Sequence, residues 1–181
     1  MSGKFIVFEG DDGSGKDTQI ALLREAFAGR RDTVFTYEPG GGTALGAKIR
    51  AIVQDASLAI APEADILLYS ADRAQHMEEV IRPALDRGVH VLSNRFMLST
   101  LAYQLCGRER RDLEPLFSAV HRYVVGQYEP DLTIFFDVPP EVALERTVSR
   151  GEKLTRFESR DSTFHERVRQ GFLDHLPAPP C

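Results

Sequence analysis

The stretch Phe5-Ile-Val-Phe-Glu-Gly10-Asp-Asp-Gly-Ser-Gly15-Lys16-Asp17-Thr18 constrains this chain more than any other. Its first half is an apolar run rich in aromatic and β-branched residues, which suits a strand buried on both faces of a parallel sheet. Beyond it Ile20, Leu23, Ala26 and Phe27 recur at helical spacing. The turn between them therefore delivers backbone N–H groups and the positive end of a helix dipole to one point. Gly10, Gly13 and Gly15 let the backbone curl around phosphate oxygens, with Asp11, Asp12, Ser14 and Thr18 in or beside the loop, and Lys16 places a point charge on the β and γ phosphates. The turn predicts nucleotide binding. One position breaks the pattern: Gly, four residues, Gly-Lys is followed by Ser or Thr, whose hydroxyl holds magnesium, and here Asp17 stands in that place.

A chain of 181 residues with 43% hydrophobic content has room for one domain with a proper core. Its apolar runs fall short of a bilayer span and it starts with no signal-peptide pattern, so neither a membrane nor export is expected. A net charge of -5 disfavours a nucleic-acid backbone as partner. Cys106, read as helical, and Cys181, the last residue, do not suggest a disulfide, which points to a reducing, cytoplasmic setting.

Strands and helices alternate along the chain. Further strands are expected at Thr33–Tyr37, Val89–Ser93 and Leu132–Phe136. Helices are expected at Leu45–Gln54, Pro62–Arg87, Ser99–Cys106, Leu113–Gln127 and Pro140–Arg150. In the long helix Leu67, Ala71, Ala74, Met77, Ile81 and Leu85 follow spacings of three and four, which marks them as the core face. Tyr69 and Arg73 lie four apart on a nearly opposite face, placed to meet a ligand together. Alternating βα units imply a doubly wound parallel sheet flanked by helices. Ligands in such sheets bind beyond the carboxyl ends of the strands, which gathers the turn from Gly10, Glu38, Asn94-Arg95 and Asp137 around one crevice.

Several segments, in order, resemble bacterial thymidylate kinase, a P-loop nucleoside monophosphate kinase. They are Phe8-Glu-Gly, Gly13-Ser-Gly-Lys-Asp-Thr-Gln19, Glu38-Pro-Gly, Ala71-Asp-Arg-Ala-Gln-His76, Glu79 to Gly88, Ser99-Thr-Leu-Ala-Tyr-Gln104, Asp137 to Arg146 and Arg156-Phe-Glu158. The resemblance implies transfer of the γ-phosphoryl of ATP, with Mg²⁺, to the 5′-phosphate of dTMP. It implies that Tyr69, usually Phe in the family, stacks on thymine, that Arg73 bonds a base carbonyl, and that Arg95 clamps the acceptor phosphate. It places Glu38, Tyr103 and Gln104 around the acceptor, with the Tyr103 ring blocking a ribose 2′-hydroxyl and Gln104 reading the thymine edge. Asp12 would face the 3′-hydroxyl, and the adjacent Asp11 is expected to be solvated. Two acids beside a polyphosphate need an offset. Arg146, Arg150, Lys153 and Arg156 are expected to supply it from a mobile lid over residues 146–160, with Arg150 and Arg156 joining Lys16 and Arg95 as catalytic groups. Family members commonly dimerise through packed helices, for which Pro62–Arg87 and Ser99–Cys106 are the candidates.

The departures cluster. Asn94 stands where the family has an aspartate supporting the metal, so the carboxylate is lost there and gained at Asp17, which is taken as the magnesium-binding residue. Tyr37 replaces an arginine before Glu38-Pro-Gly, Phe96 replaces Tyr or His, Thr155 replaces a lid aspartate, and Gly40 to Gly42 contain one extra glycine. The sequence given ends in Leu176-Pro-Ala-Pro-Pro-Cys181, where the family continues with a final strand and helix that help enclose adenine, so four core strands and weaker or less selective donor binding are expected. Two alternatives stay open: a kinase for another or modified deoxynucleoside monophosphate, and a nucleotide-binding protein without catalysis.

Overall fold

A computed structural model describes residues 3–149, 151 and 155–177. Four strands, β1 (Phe5–Glu9), β2 (Thr33–Tyr37), β3 (His90–Asn94) and β4 (Leu132–Phe135), form a parallel sheet in the order β2-β3-β1-β4. β1 is central, with Phe5 opposite Val91 on one side and Ile6 opposite Leu132 on the other. Sandwiched between two neighbours, it reads as a continuous apolar run for the reason given above: Phe5, Val7 and Phe8 are all buried.

The helices α1 (Lys16–Ala26), α2 (Ala44–Gln54), α3 (Pro62–His76), α4 (Arg82–Asp86), α5 (Met97–Thr100), α6 (Glu114–Val125) and α7 (Pro140–Ser149) fall where the periodicity puts them. α3 and α4 form one long helix interrupted by a π-helical turn over Met77–Ile81. Pro83 accounts for the interruption, since its ring clashes with a carbonyl four residues back and it donates no N–H. A second π-helical stretch, Leu101–Gly107, continues α5, and all seven of its residues are buried. An eighth helix, α8 (Ser162–His175), was not foreseen, although Asp161 caps it by accepting from the Phe164 N–H and Phe164, Val168 and Phe172 recur every four residues.

α8 lies on the Leu101–Gly107 stretch with almost no room between backbones. A Cβ on Gly171 would come within 3.1 Å of the Ala102 Cα, and one on Gly107 within 2.7 Å of the Phe164 ring. This seam buries Phe164, Val168 and Phe172 with Leu101, Leu105 and Ile66 in one cluster. It also corrects the expectation that Ser99–Cys106 offers an oligomer surface, because α8 already covers it. Among the described residues no helix is long and apolar enough to cross a membrane.

The buried face of α3 differs from the predicted one. Leu67 is 47% exposed and Ala71 and Ala74 are exposed, while Asp65, Ile66, Ser70, Asp72, Arg73 and His76 are buried. Only from the π turn onward do Met77, Ile81 and Leu85 take the core side as expected. Apolarity misidentified the stripe because its first half is buried polar side chains with partners: Arg73 and His76 on Glu38, Asp72 on the Gly40 N–H, and Asp65 on Arg108 and Arg156.

Candidate functional site

The turn after β1 curls as its glycines allow: Gly10, Gly13 and Gly15 have φ of 152°, 80° and 90°. Gly15 begins α1 with no side chain capping it, so the first N–H groups of the helix stay open to an anion. Lys16 folds back into the loop, 2% exposed, with Nζ 3.2 Å from the Asp11 carbonyl and 3.7 Å from both Asp12 and Asp17. Burial, and then the Arg95 charge, push its pKa below the ordinary lysine value; an arriving phosphate oxyanion relieves that penalty.

Arg95 follows β3 in a left-handed backbone conformation, φ 70°. From there its guanidinium donates to Ser99 Oγ at 2.9 Å, to Asp12 Oδ1 at 2.6 Å and to the Tyr103 hydroxyl at 3.1 Å. Burial opposes ionisation of Asp12, but Arg95 and Lys16 overcome it and hold the carboxyl far below its usual range. The second acid, Asp11, is not solvated as expected. It is 6% exposed, accepts from the Tyr103 hydroxyl at 2.6 Å and the Asp12 N–H at 2.7 Å, and receives His165 Nδ1 at 2.9 Å. Among the described residues the two loop acids are offset by Arg95, Lys16 and His165. His165 is a residue the sequence reading passed over, because the helix that carries it was not assigned.

Beside the loop, at the carboxyl ends of β1, β2 and β3, lies a cavity of about 560 Å³. Asp12, Glu38, Tyr69, Arg73, Arg95, Tyr103 and Gln104 all line it, as do Lys16, Asp17 and Asn94. Glu38 reaches it through a cis peptide to Pro39 and is bonded by Arg73 Nε at 2.8 Å and His76 Nδ1 at 2.9 Å. Despite burial, Arg73 and His76 lower its pKa. Arg73 also donates to Thr100 Oγ1 at 3.0 Å and lies 5.0 Å from the ring of Phe96, which packs edge-on to Phe5 in the core. Gln104 Nε2 is buried there without a hydrogen-bond partner. Arg50, which drew no notice in the sequence, lines the same cavity with its guanidinium 5.3 Å from the Tyr37 ring and donates to the Pro39 carbonyl at 2.7 Å. A cation thus stands beside the position where Tyr37 replaces the family arginine.

Asp17 and Asn94 touch: Asn94 Nδ2 donates to Asp17 Oδ1 at 2.6 Å. Asp17 is 64% exposed at the lip of the cavity, and Asn94 Oδ1 is buried with no partner. A carboxylate beside an unfilled oxygen acceptor fits a hard divalent cation. Among the described residues no three of His, Cys, Asp and Glu gather into a metal cage.

The expected lid residues separate. Arg146 lies over the loop, its Nη1 4.0 Å from where a Cβ on Gly15 would stand. Arg150 and Lys153 lie outside the described residues. Arg156 is not at the phosphate loop: it donates to the Val53 carbonyl at 3.0 Å and to the fully buried Asp65 at 2.6 Å, a carboxylate it shares with Arg108. The reason is electrostatic, since Asp65 has no exposure and needs both cations. Asp137, placed at the crevice by topology, is held by Arg169 of α8 through contacts of 2.6 and 2.8 Å.

Asp72 ties the glycine turn to α3 by accepting the Gly40 N–H at 2.9 Å, and its other oxygen is buried without a partner. Burial, with the nearby Glu38 charge, raises its pKa from 3.8 to about 6. A raised carboxyl pKa means the fold prefers the protonated form, so this contribution to stability is present at low pH and lost as pH rises from about 4 to about 6. Asp72→Asn keeps the acceptor and removes the charge. Relative to wild type its Tm should rise at pH 8 and match at pH 4, as thermal melts at the two pH values would show; an unchanged difference across that range contradicts the assignment.

The sequence model of the family described as Thymidylate kinase matches residues 8–178. A protein named thymidylate kinase from Carboxydothermus hydrogenoformans is 50% identical over 174 residues, covering 96% of this chain and 84% of the relative. Its namesake from Deinococcus radiodurans is 47% identical, covering 98% and 85%. The crystal structure of thymidylate kinase from Ehrlichia chaffeensis superposes with a TM-score of 0.75 at 32% identity, covering 96% of this chain and 86% of that one.

Proposed function

The chain belongs to the thymidylate kinase family, and from that premise we propose that it transfers the γ-phosphoryl group of ATP to the 5′-phosphate of dTMP, giving dTDP and ADP. The observation that carries this reading is the convergence of Arg50, Arg73, Arg95, Tyr69 and Gln104 on one cavity that opens beside the phosphate loop. Cations for an acceptor phosphate, an aromatic face for a base and an unpaired amide for its edge occur together. Nothing found favours another acceptor.

In this mechanism the loop N–H groups of residues 10–18 and Lys16 hold the donor phosphates. Arg95 and Arg50 grip the acceptor phosphate so that its oxygen faces the γ phosphorus in line. An acceptor oxygen–phosphorus bond forms as the bond to the β-bridging oxygen breaks, and the charge leaves with ADP. Tyr69 and Gln104 fix the thymine, and Tyr103 fills the space a ribose 2′-hydroxyl would need. Asp17 with Asn94 Oδ1 would hold Mg²⁺, which would supply charge neutralisation to the donor phosphates. Arg146, with Arg150, would close over the transferring group as part of a lid within the same domain.

A homodimer is part of this reading, on the strength of the exposed apolar side chains Leu45 and Ile52 on α2 and Leu67 on α3. A cytoplasmic setting accords with the free, buried thiol of Cys106. Incubating the purified chain with ATP, Mg²⁺ and a panel of nucleoside monophosphates and following ADP release tests the acceptor directly. Release with dTMP in clear preference is expected. Release with a different monophosphate, or tight ATP binding without turnover, contradicts the proposal.

A further inference from the structure

We infer that His165 is a positioning residue for the acceptor side of the site, acting through Asp11; the inference rests on the kinase reading above. Asp11 does not line the cavity, and yet it is bonded to three residues that do, Asp12, Lys16 and Tyr103. Its Oδ1 takes the Tyr103 hydroxyl at 2.6 Å and the Asp12 N–H at 2.7 Å, while its carbonyl takes Lys16 Nζ at 3.2 Å. The donor to its other oxygen, Oδ2, is His165 Nδ1 at 2.9 Å. A carboxylate buried to this degree holds one orientation only while both oxygens are satisfied.

The consequence passes to Tyr103. Its ring lies under the Arg95 guanidinium at 5.0 Å and forms part of the cavity wall, and its hydroxyl is the link between Arg95 and Asp11. With Oδ2 anchored, Asp11 fixes the hydroxyl, and the hydroxyl fixes the ring against which the acceptor sugar would rest. With Oδ2 free, Asp11 turns toward another donor and the wall loosens.

His165 itself is well fixed. It is 6% exposed, edge-on to Phe164 at 5.4 Å, on a helix whose close seam with Leu101–Gly107 sets its distance from Tyr103. Burial works against a charged imidazole, but the Asp11 contact, Asp12 and the Phe157 backbone outweigh it and raise its pKa. A strong donor therefore faces a loop that must otherwise accommodate two acids next to polyphosphate.

The test compares His165→Phe, which keeps a ring and loses the donor, with His165→Asn, whose amide N–H replaces Nδ1–H. Steady-state kinetics with dTMP and ATP varied in turn should show the acceptor KM raised about tenfold in His165→Phe, with the ATP KM changed by less than about twofold. His165→Asn should recover most of the loss. In Asp11→Ala, adding His165→Phe should change nothing further, because the pathway is already cut. Equal shifts in both KM values, no shift, or losses that multiply in the double variant overturn the inference. Should His165→Phe fail to fold by far-UV circular dichroism, His165→Leu takes its place in both the single and the Asp11→Ala double variant, and the same outcomes decide. Failure of the kinase reading looks different: wild type itself would not turn over dTMP, and calorimetric dTMP binding would then read the same split. A wild type that neither turns over nor binds dTMP overturns both.

Discussion

Arg95→Ala is expected to lower kcat/KM for dTMP by about 10³-fold, the range seen when one preorganised charged donor is removed from a transition state. The guanidinium does three things at once. It neutralises Asp12 at 2.6 Å, holds the Tyr103 hydroxyl at 3.1 Å and presents its remaining surface to the cavity. Deleting it leaves the Asp12 carboxylate beside incoming polyphosphate with Lys16 at 3.7 Å, and His165 as a lesser contributor, to offset it. Both ground-state affinity and in-line orientation should suffer, so KM for the acceptor rises and kcat falls. Lysine at this position keeps the charge but cannot bridge Ser99, Asp12 and Tyr103 together, and its activity should fall between the two. The backbone penalty at φ 70° is borne equally by arginine and alanine, so the loss should appear without a large fall in Tm. An alanine variant within a few-fold of wild type would remove Arg95 from the acceptor clamp.

The second large effect is expected at the metal. Asp17→Thr restores the usual phosphate-loop hydroxyl but removes a carboxylate from a site whose other member is Asn94. Activity should fall by about 10- to 100-fold, with a matching loss in the Mg²⁺ dependence of ATP affinity. Adding Asn94→Asp should recover most of it. The physical ground is the 2.6 Å contact between the two side chains: a carboxylate at either position occupies nearly the same space beside the loop. Measuring ATP binding with and without Mg²⁺, alongside turnover, separates metal capture from damage to the loop. Losses that simply add in the double variant would show that the two positions act independently.

The parts of this molecule that a sequence states openly are those governed by periodicity and by glycine. The four strands, the phosphate turn and seven of the helices follow from alternation, capping and left-handed glycines; Lys16 is legible in the loop pattern, Tyr69 and Arg73 as one helix face and Asn94-Arg95 as a strand end, while the parts given to Tyr69, Arg73 and Arg95 rest on the family resemblance. What stayed hidden had physical causes. On α3 the buried stripe is polar, so Leu67 and Ala71 outweighed Arg73 and His76 in a pattern that reads apolarity as burial. Arg50 gave no signal, since one basic residue on an amphipathic helix looks like its solvated face. The partners of Asp11 and of Arg156 are 154 and 91 residues away in the chain, and no local rule reaches that far.

The glycine seam between α8 and Leu101–Gly107 also bears on how the protein opens. Proteins unfold locally in cooperative units, and a peripheral helix is ordinarily free to detach at little cost to the rest. Here Gly171 closes on the Ala102 backbone and Gly107 on the Phe164 and Val168 side chains, so detaching α8 strips the cover from the stretch carrying Tyr103 and Gln104 and withdraws His165 from Asp11. The helix farthest along the described chain and the wall of the acceptor cavity therefore melt as one foldon, and any breathing of that helix is felt as a loss of acceptor recognition before the sheet is disturbed.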